Sequence, residues 1–274
     1  MTKTFAISND FHHLSFDSTL GGRASSWKLF GQEILLSVEN SPLNGGMYVM
    51  APWVGRIDGA CIAFEGTTYP QPINFPPWAL HGVTPFSECQ VVEWDASHIV
   101  FQQRIQDFLP TWPVDMVITH RWDLKDSDLN LSVSATLTEG NFVCDVGIHP
   151  FFLKTLGNGS TATMLFEPEH EYQVDDHFIN HGISVNPTLG PWDTAFSLPA
   201  RECHIEWKDF AVIRIKSSHQ DFVIYDKHSD FFCPEPCTGP PNGINMQQFS
   251  NQVSVHEPLT LMTTWSASKC LTQS

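Results

Sequence analysis

Apolar and polar residues alternate with a period of two along much of the chain. The runs "HIVFQQRI" (98–105), "MVITHRWDL" (116–124), "LNLSVSATL" (129–137), "FAVIRIKSS" (210–218) and "DFVIYDK" (221–227) put every second side chain on one face. They are rich in Val, Ile, Phe and Thr, and they predict β-strands. Turn residues separate them, as in "KDSD" (125–128) and "SSHQ" (217–220). Hairpin spacing between successive strands predicts antiparallel sheets. The stretch "FHHLSFDSTLGGRASSWKLFGQEILL" (11–36) repeats the theme as strand, Gly-Gly turn, strand, Gly turn, strand.

No segment sustains a helical period over three turns, so helical turns are confined to the neighbourhoods of 175–180 or 246–250. Proline-rich loops fall at 70–77, 186–191 and 234–241. Nothing resembles an interdomain linker or a fixed repeat. The pattern predicts an all-β protein, one large antiparallel β-sandwich domain spanning 1–274.

Composition narrows the function. Hydrophobic residues make up 42%, with 20 Phe and 9 Trp, enough for a sizeable core without a disulfide or metal staple. Fourteen basic residues face 30 acidic ones, a net charge of −16, which disfavours nucleic acid, anionic membrane and polyanionic ligands. A neutral small molecule fits better. No apolar run approaches the roughly 18 residues of a membrane-spanning helix. The opening "MTKTFAISNDFHHLSF" has no apolar secretion signal, so a cytoplasmic location is expected. The seven cysteines are scattered, and "CPEPC" has neither a metal-knuckle nor a redox spacing, so buried free thiols are expected.

Four stretches could carry chemistry. In "GGMYVMAPWVGRIDG" (45–59), Arg56 stands among apolar neighbours and needs either an ion pair or a ligand for its guanidinium fork. In "PPWALHGV" (76–83), His81 follows a Pro-Pro-Trp loop and could simply pack on Trp78. In "FVCDVGIHPFF" (142–152), His149 ends an apolar alternating run. In "FFCPEPCTGPPNGIN" (231–245), Glu235 sits between two prolines that stiffen what reads as a loop.

Each residue also has a bland reading as a core or surface side chain. Together, two imidazoles, a carboxylate and an arginine form an acid–base set. No Ser or Cys stands in a nucleophile motif. Cys144 is five residues from His149, which puts the two on opposite faces of a strand. Thirteen histidines raise the question of metal, but no HxH or HExxH occurs. His12–His13 diverge on a strand, and His177 and His181 read as loop residues, so no required metal is expected.

The order of these motifs, with "GG…W…GQEILL" before them and "WDTAF" (192–196) between the last two, resembles the aldose 1-epimerase (galactose mutarotase) family over about residues 21–265. The resemblance implies a β-sandwich with a carbohydrate site on a concave face, no cofactor, and interconversion of the α and β anomers of a free aldose. It implies His149 as general acid toward the ring oxygen, Glu235 as general base on the anomeric hydroxyl, and His81 as an assistant at that centre. It also implies Arg56 and Asp193 as binders of sugar hydroxyls.

Trp53, Trp192 or Phe151 could pack on the apolar face of the sugar, although core packing is the commoner role for each. The implied partners are a sugar and, at most, a second copy of the chain in a homodimer. One departure bears on the substrate: the asparagine usual before Arg-Ile is Gly55 here. The alternatives are a hexose 6-phosphate or unusual-sugar epimerase, and a carbohydrate-binding protein without turnover.

Overall fold

A computed structural model describes residues 4–38 and 41–270; residues 1–3, 39–40 and 271–274 of the expected domain lie outside it. Two large antiparallel sheets hold most of the chain. The first runs in the order Thr4–Ser8, His12–Asp17, Arg23–Leu29, Met47–Met50, Gly147–Pro150, Phe231–Cys237, Asp221–Tyr225, Asp193–Ser197, His170–Val174 and Asn180–Val185. The second runs Gln90–Trp94, His98–Arg104, Met116–Lys125, Asp128–Leu137, Leu259–Lys269, Ala211–Ser217, Glu202–Trp207 and Ala162–Phe166. The period-two runs become strands with their bounds shifted by at most two residues, because alternation is what half-buried strands require.

The sheets face each other across a core in which Trp27, Trp122, Trp207 and Trp265 are fully buried. Met116–Lys125 shows the logic: Met116, Ile118, His120, Trp122 and Leu124 point inward, and the residues between them do not. His120 fills one such inward position. It stacks on Phe101 (centroids 4.9 Å apart) and accepts a 2.8 Å hydrogen bond from Trp122 Nε1. The seven cysteines are free thiols, and Cys144 joins the core on the side away from His149.

Helix is scarce. Ile105–Phe108 forms one turn that ends the strand expected to include Ile105. Near 246–250 the chain makes a turn after the short 3-10 helix Gly243–Asn245, with Phe249 and Ser250 amides donating to the Met246 carbonyl. At 175–180 there is a hairpin turn rather than a helix. Asp175 Oδ1 accepts from the amides of His177 and Ile179, and its other oxygen lies 3.1 Å from Nε2 of the exposed His181.

A larger correction concerns "FFCPEPC". It is not a loop but a buried strand in the middle of the first sheet. Its ladder with Asp221–Tyr225 is continuous from Asp221↔Cys237 to Tyr225↔Cys233. The amides of Cys233, Glu235 and Cys237 must therefore serve that side. Pro234 and Pro236 turn their missing N–H positions toward the other neighbour. There, pairing is confined to Gly147↔Cys237 at one end and Phe152↔Phe232 with Leu153↔Phe231 at the other. The prolines thus interrupt one ladder and spare the other, and Glu235 sits beside the interruption.

Candidate active site

Strand register assembles the site. Gly147↔Cys237 and Phe152↔Phe232 share one register, which sets His149 opposite Glu235. His149 pairs with Tyr48 on its other side, and Glu235 pairs with Val223. Tyr48, His149, Glu235 and Val223 thus form a row on the sheet face turned away from the tryptophan core. Asp193, paired with Tyr225, stands in the next row.

His81 comes from outside this sheet. Arg56–Ile57 pairs with Ala79–Leu80, which carries His81 alongside Gly55. The His81 amide donates to the Gly55 carbonyl at 3.0 Å, and the Gly55 amide donates to His81 Nδ1 at 3.2 Å. His81 adopts a left-handed φ of 57°, a conformation that costs about 1 kcal/mol or more and is found at functional sites. Gly82, next to it, has φ 72°, and a Cβ there would lie 1.8 Å from the Ala51 carbonyl oxygen, so only glycine fits the close approach.

A cavity of about 270 Å³ opens over this face, at the small end for ligand sites. All five residues singled out in the sequence, Arg56, His81, His149, Asp193 and Glu235, line it. His149 Nε2 lies 3.2 Å from Glu235 Oε1. The His149 ring is stacked between Tyr48 (4.8 Å) and Phe151 (4.5 Å), and His81 meets it edge-on at 5.0 Å. The imidazole and the carboxylate touch side by side rather than facing each other across the hollow.

Burial dominates the electrostatics. It lowers His81 to a pKa of about 3, with Arg56 adding to the effect, so the ring is neutral. Its Nδ1 accepts from Gly55, so the proton is on Nε2. Burial, then the nearby His81 and Arg23, lower His149 well below the usual imidazole range. Burial and then Asp193 raise Glu235 well above the usual carboxylate range, against the pull of Arg56. Both groups are thereby driven toward their neutral forms.

His81, His149 and Glu235 offer ligand atoms that all lie within 4.8 Å of one another. That donor set has the composition of a two-histidine, one-carboxylate metal site. The sequence did not show it, because the three residues come from distant segments.

The aromatic expectations divide. Phe151 lines the cavity, but Trp53 is fully buried in the core near Trp112 (6.5 Å). Trp192 packs on Phe166 and Phe196, outside the cavity. The sequence reading missed Tyr48, Phe178 and Asn180. Phe178 lies under the Arg56 guanidinium, 4.9 Å from ring centroid to Cζ, and Trp78 lies 5.2 Å away, so aromatic faces rather than a carboxylate hold that charge.

The family model for aldose 1-epimerase matches residues 5–255. The chain belongs to the aldose 1-epimerase family.

No curated protein matches it. Solved structures give the fold. A putative aldose 1-epimerase from Escherichia coli K12 is 14% identical, with a TM-score of 0.85 over 98% of this chain and 100% of that one. A GalM/aldose epimerase homologue from C. elegans is 14% identical, with a TM-score of 0.84 over 99% and 100%. A galactose mutarotase-like protein from Clostridium acetobutylicum is 17% identical, with a TM-score of 0.84 over 98% and 96%. At these identities the likeness speaks for the β-sandwich of the aldose epimerases alone. Among the described residues, no helix is long and apolar enough to cross a membrane.

The departure at Gly55 has a local cause. Its φ is 62°, and a Cβ there would lie 2.4 Å from Pro241 Cβ. Pro241 fills the space that a side chain at this position would enter in this epimerase-family chain.

Proposed function

We propose that this protein interconverts the α and β anomers of a free monosaccharide by acid–base ring opening and closure. The observation that carries the reading is the convergence of the buried Glu235, His149 and His81 side chains on one open, sugar-sized cavity. The anomeric hydroxyl oxygen and the ring oxygen of a hemiacetal are bonded to the same carbon. A carboxylate and an imidazole that lie side by side can therefore serve both at once.

Glu235 removes the proton of the C1 hydroxyl. The C1–ring-oxygen bond breaks as the C1 carbonyl forms, and His149 delivers a proton to the departing ring oxygen. The aldehyde rotates about the C1–C2 bond, and the same steps in reverse close the ring on the other face. Protons taken and given are equal, so no cofactor and no covalent intermediate are needed. Neutral His81 donates from Nε2 to an oxygen at the anomeric centre, while Arg56 and Asp193 bind hydroxyls.

One proton serves the catalytic pair. It sits on Glu235 in the neutral form and on His149 in the charge-separated form. Desolvation favours the first, the Arg56 guanidinium pulls Glu235 toward the second, and turnover draws on the charge-separated form. Among the cavity-lining residues, Arg56 is the cation and Asp193 and Glu235 are the carboxylates, a balance that favours a neutral sugar over a hexose 6-phosphate.

Polarimetry of freshly dissolved α-glucose and α-galactose, with and without the protein, tests the reading. Catalysed relaxation that disappears in Glu235→Gln and His149→Asn supports it. Sugar binding at the spontaneous relaxation rate points instead to a binding protein. Faster relaxation of glucose 6-phosphate than of glucose overturns the choice of a free sugar.

A further inference from the structure

Four buried polar atoms of the cavity-lining residues have no hydrogen-bond partner among the described residues: Arg56 Nε, His149 Nδ1, Glu235 Oε2 and Asn180 Nδ2. Three belong to residues already given a part in binding or proton transfer. The fourth does not, and an unpaired amide is costly to bury unless something donates or accepts there when the site is in use.

Asn180 is 1% exposed and opens the strand Asn180–Val185, just after the turn that carries Phe178. Its Oδ1 accepts from the Gly182 amide at 2.7 Å. That bond fixes the carboxamide, because the flipped amide would set its NH2 against the Gly182 N–H. The backbone is held as well: the Asn180 carbonyl accepts from Asn242 Nδ2 at 2.9 Å. Asn242 Oδ1 in turn accepts from the amide of Asp58, two residues beyond Arg56, at 3.1 Å. Asn180 is thus braced against the segments that carry Arg56 and Glu235, with two N–H donors left unused.

We infer that Asn180 is a specificity-determining residue that donates from Nδ2 to one hydroxyl oxygen of the sugar away from C1. This rests on the reading of the cavity as a monosaccharide site. The carboxamide does not titrate, so it takes no part in moving protons. Its effect falls on which sugars are accepted, since a site built to bond a hydroxyl rejects the analogue that lacks it.

The test measures kcat/KM by polarimetry on the sugar most rapidly converted and on its 2-, 3-, 4- and 6-deoxy analogues. Wild type is compared with Asn180→Ala and with Asn180→Ser, whose hydroxyl can still accept from Gly182; thermal unfolding checks that each folds. The expected result is a loss of about tenfold on the parent sugar, carried by KM, with an unchanged pH profile. For one deoxy analogue, wild type and variants should be equal, and the others should fall as the parent does. Equal losses on all five sugars, or none, overturn the inference. If wild type accelerates no sugar, the epimerase reading fails, and the same panel is run as equilibrium binding. The selective loss must then appear in Kd, and absence of sugar binding removes the inference too.

Discussion

The Gly55 amide donates to Nδ1 of His81, and the His81 amide donates back to the Gly55 carbonyl. This two-way link joins the Arg56 strand to the His81 loop and fixes which ring nitrogen carries the proton. It also makes Gly55 a hinge of the site, since its left-handed φ and its contact with Pro241 exclude any side chain.

Gly55→Ala should therefore damage activity more than its size suggests. The new Cβ must push Pro241 or the 55–56 backbone away, at a cost of about 1–3 kcal/mol. The His81 ring should lose its orientation, and relaxation of α-glucose should slow at least tenfold while the protein still melts cooperatively. Full activity in this variant would remove His81 orientation from the account.

Asp145 gives the stability a dependence on neutral pH. It is fully buried beside the site, with Oδ1 accepting from Thr238 Oγ1 (3.1 Å) and Asn251 Nδ2 (2.8 Å). Burial raises its pKa from 3.8 to about 7 against those hydrogen bonds. The folded state therefore binds more protons than the unfolded state between these values. The stabilisation is complete below pH 3.8 and is lost as pH rises through 7, by about 4 kcal/mol in all. In Asp145→Asn, Tm should rise relative to wild type, and by clearly more at pH 8.5 than at pH 5. A parallel shift at both pH values would refute this.

His120 acts in the opposite direction. Burial lowers it from 6.5 to about 3, so the unfolded state binds the extra proton. Stability is complete above pH 6.5 and falls as pH drops toward 3, by about 4–5 kcal/mol. His120→Gln, which can still accept from Trp122 Nε1, should be flatter between pH 6.5 and 4 in denaturant titrations. An acid limb as steep as that of wild type would place the effect elsewhere.

Metal ions offer a separate check on the proton-transfer reading. With His81, His149 and Glu235 grouped as they are, added Zn²⁺ should bind there and exclude sugar. The expected pattern is a raised KM at constant kcat, and no loss of rate in EDTA. Activity that EDTA abolishes and Zn²⁺ restores would make the site a metal centre.

The two sheets were legible in the sequence because alternation is a local property. A strand with one face on a core must write that face into every second residue, as Met116–Lys125 does. The candidate residues were legible as chemical types set among glycines and prolines, and the family likeness ordered them. The "CPEPC" strand was misread because two prolines normally break a ladder. Their harmless orientation depends on which neighbour each residue faces, and that is a property of the assembled sheet.

The sequence by itself determined the strands, the free thiols, the lack of strong positive charge and the set of candidate side chains for proton transfer. Only the tertiary structure decided that Glu235 touches His149, that Trp53 is core and Phe151 is cavity, and that Asn180 leaves an amide unused. Those outcomes follow from register between segments scores of residues apart. Whole buried faces set that register when they pack, so no short stretch of sequence contains it.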